Sequence, residues 1–170
     1  MDDVFIEKLV SRKTGGKELG IKLGAVALVV VAAAVSFMIP FLQMVLPLVL
    51  LGVGWVGWKI WNRSSVEYEY SLSNGELTID AIYGQQKRKT VISIGLRERL
   101  ELMAPVSEEY GSELSRTATK ILDVASAPNA MGRWFMNVKG ESGLTRVFFE
   151  PDERMVTAMR RCAPSKVQGR

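Results

Sequence analysis

The chain has no histidine and only one cysteine, Cys162, among its 170 residues. Without histidine it has neither the commonest zinc ligand nor the commonest general base at neutral pH. A single cysteine excludes an intrachain disulfide, so the sequence has no signature of an oxidising compartment. We therefore expect no metal site and no cofactor.

Charge is also missing from the long stretch between Leu23 and Trp58, which contains Ser36 and Gln43 as its polar side chains. A spanning helix needs about 20 apolar residues, so this stretch is too long for one span and suits two. Pro40 and Gln43 mark the break, because proline disfavours helix at the residue before it. The sequence predicts a transmembrane hairpin over residues 20–61, with helices at about 20–38 and 43–61.

Positive charge flanks this stretch on both sides, and the turn between the predicted helices has none. The positive-inside rule then predicts a two-pass protein of the cell membrane with both termini in the cytoplasm. Aromatic side chains near the inner end of the second helix are expected at the membrane interface: Trp55, Trp58 and Trp61. The cations expected to contact the membrane surface are Arg12, Lys13, Lys17, Lys22, Lys59, Arg63, Lys87, Arg88 and Lys89.

Glycines recur in the apolar stretch. The segment 52–57 matches the dinucleotide fingerprint G-x-G-x-x-G, but that motif needs a strand before it and a helix after it. Here it lies inside an apolar helix, so we discard the nucleotide interpretation. Small residues let membrane helices approach closely, and five glycines are expected to serve helix packing: Gly20, Gly24, Gly52, Gly54 and Gly57.

The net charge of +4 does not indicate nucleic-acid binding. Most of the excess positive charge flanks the apolar stretch, and residues 64–170 are nearly neutral, whereas a nucleic-acid-binding domain carries a basic stripe. The N-terminal segment, residues 1–19, is predicted to be cytoplasmic. Within it, residues 2–10 fit a short amphipathic helix that lies on the membrane surface, and a frayed terminus is the alternative.

After Ser65 the hydrophobic pattern alternates, which predicts a strand with one buried face. Asn74-Gly75 follows and is the strongest two-residue hairpin signal, since both positions must accept positive φ. A turn there sets the register and places eight side chains on one face. The predicted pairs are Leu72 with Leu77, Tyr70 with Ile79, Tyr68 with Ala81, and Val66 with Tyr83.

Five further strands are predicted at 87–94, 96–104, 119–126, 133–139 and 144–150, followed by a capping helix at 151–163 and a tail at 164–170. Glu98 does not fit the inward face of its strand. The predicted fold class is a transmembrane helical hairpin plus a mainly-β, α+β domain over residues 66–163. That domain is a seven-stranded antiparallel bent sheet or partly open barrel, closed at one end by the C-terminal helix.

Seven strands followed by a capping helix resemble the pleckstrin-homology-like (PH-like) superfold. More closely, residues 66–80, together with Val4-Phe5, the apolar hairpin and Phe148-Phe149-Glu150-Pro151, resemble an uncharacterised family of small membrane proteins from low-GC Gram-positive bacteria. The resemblance covers nearly the whole chain and implies architecture without chemistry. Inositol-lipid-binding members of the superfold carry basic residues between their first two strands. Here Asn74-Gly75 stands there, which disfavours such a ligand.

Three functions are compatible with these observations. The first is a non-enzymatic adaptor that presents a PH-like domain at the cytoplasmic face and binds a protein segment, or a second copy, by strand addition or in a groove. The second is an accessory subunit that packs through its hairpin against a larger membrane complex. The expected partners are the lipid bilayer and a protein or second copy, without nucleic acid.

The third possible function is that of a membrane enzyme. Its candidate acid pairs are Glu67 with Glu69, Glu108 with Glu109, and Asp152 with Glu153. Each pair lies where acids are common, on an outward strand face, in a polar loop or in the first turn of a helix. No nucleophile elbow, phosphate loop or metal-ligand cluster is present in the sequence. We therefore expect a protein that is not an enzyme.

Overall fold

The structure is a computed structural model that describes residues 5–13, 16–38, 44, 47–48, 50–55, 57–58, 66–140 and 142–169. The chain divides into two compact units. One comprises Met1–Arg12 with Val66–Arg170, and the other is Lys13–Ser65. The second unit is therefore inserted between two parts of the first.

The inserted unit contains helix α1, Gly16–Met38. In the described part of the chain, no helix combines the length and apolarity that a bilayer crossing requires.

The predicted transmembrane hairpin is therefore wrong, and so is the two-pass topology with both termini in the cytoplasm. Residues 50–55 are helical, but parts of the predicted second helix at 43–61 lie outside the described residues. The accessory-subunit hypothesis depended on packing through that hairpin. It loses its basis together with the hairpin.

The larger unit begins with a four-stranded antiparallel sheet, called sheet A. Its strands lie in the order β1-β2-β3-β4. They are β1, Phe5–Ser11; β2, Val66–Ser73; β3, Glu76–Tyr83; and β4, Lys87–Gly95.

The predicted register of the Asn74-Gly75 hairpin is confirmed at all four pairs. Both turn residues have positive φ, 50° at Asn74 and 85° at Gly75, as the two-residue turn requires. Six of the eight paired side chains are buried, while Val66 is half-buried and Tyr83 is exposed at the far end of the hairpin.

Strand β1 replaces the amphipathic helix expected at residues 2–10. Ile6, Lys8 and Val10 turn inward and alternate with outward residues, which is the period of a strand. The apolar residues 5, 9 and 10 also fit one side of a helix, so the short segment was ambiguous. Antiparallel pairing with β2, more than fifty residues away in sequence, decides in favour of the strand.

Sheet B has four strands in the order β5-β7-β8-β6. They are β5, Leu100–Pro105; β6, Lys120–Asp123; β7, Trp134–Gly140; and β8, Gly143–Phe149. Strand β6 pairs parallel to β8, so the prediction of an entirely antiparallel sheet is wrong there.

The predicted fourth strand at 96–104 begins instead with a helical turn, α2, Leu96–Arg99. This turn buries Leu96 and leaves Glu98 exposed, which removes the mismatch that a continuous strand would create. A second short helix, α3, Gly111–Ser115, lies in the polar segment before β6.

The capping helix is α4, Glu153–Cys162. Asp152 caps it by accepting a hydrogen bond from the Met155 N–H at 2.7 Å. The buried face of α4 packs on the shared core of the two sheets through Met155, Val156, Ala158 and Met159.

A buried tyrosine joins the sheets. The Tyr70 hydroxyl on β2 donates to the Val124 carbonyl at 2.6 Å and accepts from the Glu150 N–H at 3.4 Å. Lys8 Nζ on β1 donates to the Glu150 carbonyl at 2.7 Å, and the Ser126 N–H donates to Glu150 Oε1 at 2.5 Å. We call these five residues the Tyr70 junction. They connect β1 and β2 to the end of β8 and to the segment after β6.

We expect Tyr70→Phe to lower the free energy of unfolding by about 1–2 kcal/mol, because the buried Val124 carbonyl would lose its donor. Urea denaturation of the two proteins measures the difference. Tyr83→Phe is the matched control, since Tyr83 is exposed at the end of β3. An equal loss in both variants would contradict a specific role for the buried hydroxyl.

The contribution of Tyr70 should also depend on pH. Burial, as the largest effect, raises the pKa of the Tyr70 phenol above its ordinary value, against a smaller lowering by the Glu150 N–H. The unfolded chain ionises near pH 10, while the folded protein keeps the phenol neutral. The stability advantage over Tyr70→Phe should therefore be constant below about pH 9 and fall above about pH 10. A constant advantage up to pH 11 would contradict this assignment.

Candidate functional site

A sheet edge offers unpaired backbone groups to another chain, so proteins usually block their edges. Sheet A ends in β1 and β4, and sheet B ends in β5 and β6. Three of these four edges are blocked in recognisable ways, and the fourth is not.

The edge of β4 is protected by charge and by an irregularity. Lys87, Arg88 and Lys89 are exposed along it, and a β-bulge interrupts its pairing with β3 next to Asp80. Arg88 forms an ion pair with Glu69 at 2.6 Å and lies 3.8 Å from Asp80. It thus relieves the repulsion between two acids that face each other across β2 and β3. Contact of this triplet with a membrane surface stays a prediction.

The edge of β5 is covered by residues 164–169, which follow α4 and are called the closing segment. The Met103 N–H donates to the Lys166 carbonyl at 2.8 Å, and the Gln168 N–H donates to the Met103 carbonyl at 2.8 Å. Val167 pairs in parallel with Met103 and is 4% exposed. The chain itself therefore already uses the backbone groups of Met103 at this edge.

The edge of β6 is short. The strand has only four residues, Lys120–Asp123, and its pairing with β8 covers the same four positions. Short edge strands give an incoming chain few backbone partners.

The edge of β1 is less protected: the strand has seven residues, pairs with β2 without a register shift and carries two charged side chains, Glu7 and Lys8. The Arg12 N–H donates to the Val66 carbonyl at 2.9 Å, so residues at even positions of β1 bond to β2. In an antiparallel ladder the alternate residues point the other way. The N–H and C=O groups of Phe5, Glu7 and Leu9 therefore face the open edge, and within the described ranges no backbone group pairs with them.

A groove lies between β1 and α4, at the border between the buried and the exposed face of the helix. It has a volume of about 320 Å³. Its apolar floor is formed by Ile6 and Ala158, and its sides are formed by Thr157 and three charged side chains. Those charged residues are Glu153, Arg154 and Arg161.

The charges of the groove are not neutralised within the domain. Neither Arg154 nor Arg161 forms an ion pair or side-chain hydrogen bond with any other described residue, and the same holds for Glu153. The groove therefore presents two guanidinium groups and one carboxylate beside an open strand edge. This arrangement offers ionic contacts to a charged ligand and main-chain hydrogen bonds to an extended chain.

The sequence analysis predicted binding by strand addition or in a groove, but it located neither the edge nor the groove. Ile6 and Leu9 were assigned to a helix or a frayed end, and the arginines of α4 carried no motif. The periodicity of residues 5–11 was the one signal available, and it fits a strand as well as a helix.

The residues expected to contact a membrane surface are divided between the two units. Arg12 and Lys13 are exposed where β1 ends, and Lys17 and Lys22 belong to α1. Lys59 and Arg63 lie outside the described residues. The expected contact remains a prediction for all of them.

The five glycines expected to pack helices all lie in the inserted unit. A Cβ placed on Gly20, Gly24, Gly52, Gly54 or Gly57 would meet no neighbouring atom within 4 Å. Trp55 and Trp58 are exposed on helical residues, and Trp61 lies outside the described range. Helix packing by the glycines and interfacial placement of the tryptophans stay predictions.

Members of the acid pairs considered as catalytic candidates make contacts with other residues. Glu69 pairs with Arg88, Glu67 accepts a hydrogen bond from the Ser11 hydroxyl at 3.4 Å, and Asp152 caps α4. Glu153 lies in the groove. In the described part of the chain, no three Cys, Asp or Glu side chains are grouped so that they could hold a metal ion.

Because β1 is the first strand of the domain, the loop between the first two strands is not the one expected from the sequence. Asn74-Gly75 joins β2 to β3, so it is not the connection between the first two strands. That connection is residues 12–65, which contain the whole inserted unit. The argument from the composition of Asn74-Gly75 against an inositol-lipid ligand therefore concerned the wrong loop.

A buried arginine is the other unusual group. Arg146 on β8 is 3% exposed and donates to Asn137 Oδ1 at 2.9 Å. It also donates to the carbonyls of Leu114 and Glu113 at 2.6 Å each and of Arg116 at 2.9 Å. Burial lowers the pKa of the Arg146 guanidinium, and the Glu113 carboxylate opposes this. With four hydrogen bonds made, Arg146 holds the end of α3 on sheet B and has a structural role.

Comparison with known proteins gives one match. A family model described as Bacterial PH-like domain (DUF6106), a domain of unknown function, matches residues 2–169. No curated protein and no solved structure matches the chain. The low-GC Gram-positive origin expected from the sequence stays a prediction.

We expect Arg146→Met to lower the free energy of unfolding by about 3 kcal/mol or more, because several buried carbonyls would lose their donors. Arg146→Lys should recover only part of this loss, since an ammonium group cannot reach all four acceptors in the planar geometry of a guanidinium. Urea denaturation measures both variants. Wild-type stability in Arg146→Lys would contradict the assigned hydrogen-bond geometry.

Proposed function

We propose, from the premise that the chain belongs to the bacterial PH-like domain family, that its domain is a non-enzymatic binding module for an extended segment of a protein partner. In this proposal the segment adds to sheet A as a fifth strand beside β1. Main-chain hydrogen bonds then provide affinity, and side-chain pockets provide specificity.

The open edge of β1 is the main observation that supports this proposal. The backbone groups of Phe5, Glu7 and Leu9 point outward, and the other three sheet edges are blocked by charge, by the closing segment or by shortness. Phe5 and Leu9 are each 62% exposed on the outer face of this strand. A sheet edge with unpaired backbone groups and exposed apolar side chains is a template for pairing with another chain.

The groove adds the second part of the site. Alternate side chains of an added strand point to opposite faces of the sheet. Those on the inner face would enter the groove over Ile6 and Ala158, and those on the outer face would lie beside Phe5 and Leu9.

The same domain supports strand pairing elsewhere. The closing segment makes two main-chain hydrogen bonds to Met103 of β5 and buries Val167. A segment of this chain is thus already bonded to one sheet edge of the fold. We propose that β1 accepts a second such segment from another protein, with a second copy of this chain as the competing occupant.

Strand addition predicts a specific pattern of hydrogen exchange. In the free full-length protein, the Glu7 and Leu9 amides should exchange quickly because their N–H groups face the open edge. Peptides selected from a random display library against the protein should slow exchange at these two amides. Slowed exchange at β4 or β6 instead would contradict the proposal, and slowing that rises with protein concentration without peptide would identify a second copy as the occupant.

Leu9→Pro should weaken peptide binding about tenfold, since it removes one outward N–H worth roughly 1–1.5 kcal/mol. The ladder to β2 should persist, because proline is tolerated where an edge N–H faces away from the sheet. Leu9→Ala, which keeps the N–H, is the matched control. Fluorescence anisotropy measures affinity and thermal denaturation checks the fold. Equal affinities of the folded proline and alanine variants would exclude main-chain pairing at this position.

A further inference from the structure

The inference concerns the chemistry of the partner and rests on the proposed function. From the charges around the β1–α4 groove, we infer that the site accepts an acidic extended segment with the pattern acidic-x-apolar-x-acidic. The apolar residue contacts Ile6 and Ala158, and the two acids pair with Arg154 and Arg161.

The two arginines differ from most others in the domain. Arg88, Arg116 and Arg133 form ion pairs with acids. The guanidinium groups of Arg99, Arg146 and Arg160 donate to backbone carbonyls. Arg154 and Arg161 have no such partner among the described residues, although both border a concave surface. They are therefore available for an acidic ligand, and their charges outnumber that of Glu153.

Their spacing matches an extended chain. Arg154 and Arg161 are seven residues apart, about 10.5 Å along the axis of α4. Side chains on one face of a strand repeat about every 6.8 Å, so acids four positions apart lie about 13.6 Å from each other. The long arginine side chains can span the difference of about 3 Å. The residue midway between the acids then falls over the apolar floor.

The open edge favours a polypeptide over another anion. A phospholipid headgroup or a free phosphate could also pair with the two guanidinium groups. Neither can use the alternating N–H and C=O groups of Phe5, Glu7 and Leu9, which belong to the same strand as Ile6 in the groove lining. Only a chain with its own backbone satisfies both parts of the site.

Replacing Glu153 should raise the affinity for an acidic peptide, whereas replacing the arginines should lower it. It lies next to Arg154 on the border of the groove and would repel an acidic segment. Glu153→Gln should therefore tighten binding of an acidic peptide about two- to threefold, as expected for the loss of one exposed like-charge contact. A merely structural role of this residue would not produce a gain in affinity.

The test uses two synthetic peptides with blocked ends, Ala-Glu-Thr-Val-Thr-Glu-Ala and the same sequence with lysine in place of both glutamates. The full-length protein should bind the acidic peptide at least about fivefold more tightly, and the preference should shrink in high salt. Arg154→Glu/Arg161→Glu should reverse the preference. Arg97→Glu/Lys120→Glu changes the net charge equally at two exposed positions outside the groove and should leave it unchanged.

The outcomes separate the two proposals. If both peptides bind equally and Leu9→Pro weakens both, strand addition stands and the acidic preference is overturned. If neither peptide binds, or if Leu9→Pro has no effect on binding, both are overturned. If anionic phospholipid vesicles, but not the acidic peptide, bind in a way that depends on Arg154 and Arg161, the ligand is a headgroup and the inference is wrong.

Discussion

One buried hydroxyl group holds this domain in its arrangement. Tyr70 lies in the middle of sheet A, yet its hydroxyl bonds to Val124 and Glu150, which belong to the other half of the fold. A polar group buried this deeply is costly unless it is bonded, so the two halves must meet in one relative position. Its ring also meets Phe149 edge-on, with 5.8 Å between ring centroids.

That position defines the candidate site. Lys8 on β1 donates to the carbonyl of Glu150, and α4 begins three residues later at Glu153. The Tyr70 junction therefore sets the separation between β1 and α4, which are the two walls of the groove. Ile6 and Ala158 then stand opposite each other as its floor.

The parts of the fold that were predicted correctly depend on local chemistry. Asn74-Gly75 determines a tight turn because both residues accept positive φ, and the alternation on either side then determines the register. Asp152 and the helical spacing after it similarly predicted α4. Glu98 marked the position where the predicted strand was wrong, since a carboxylate cannot face the core unpaired. The prediction from the apolar stretch was wrong because it judged hydrophobicity over residues 23–58 together, whereas no single helix in the described part of the chain is long and apolar enough for a crossing.

The sequence alone determined the hairpin, the order of most strands and the closing helix, because turns, caps and alternation act between neighbouring residues. Only the tertiary structure revealed β1, the parallel pairing of β6, the closing segment on β5 and the buried Arg146, because each depends on a partner far along the chain. The candidate site belongs to this second group. Its backbone donors come from residues 5–9 and its side chains from residues 153–161, and no local pattern records that these two segments meet. The two segments come together because the common core is buried and because the polar groups buried with it must form hydrogen bonds.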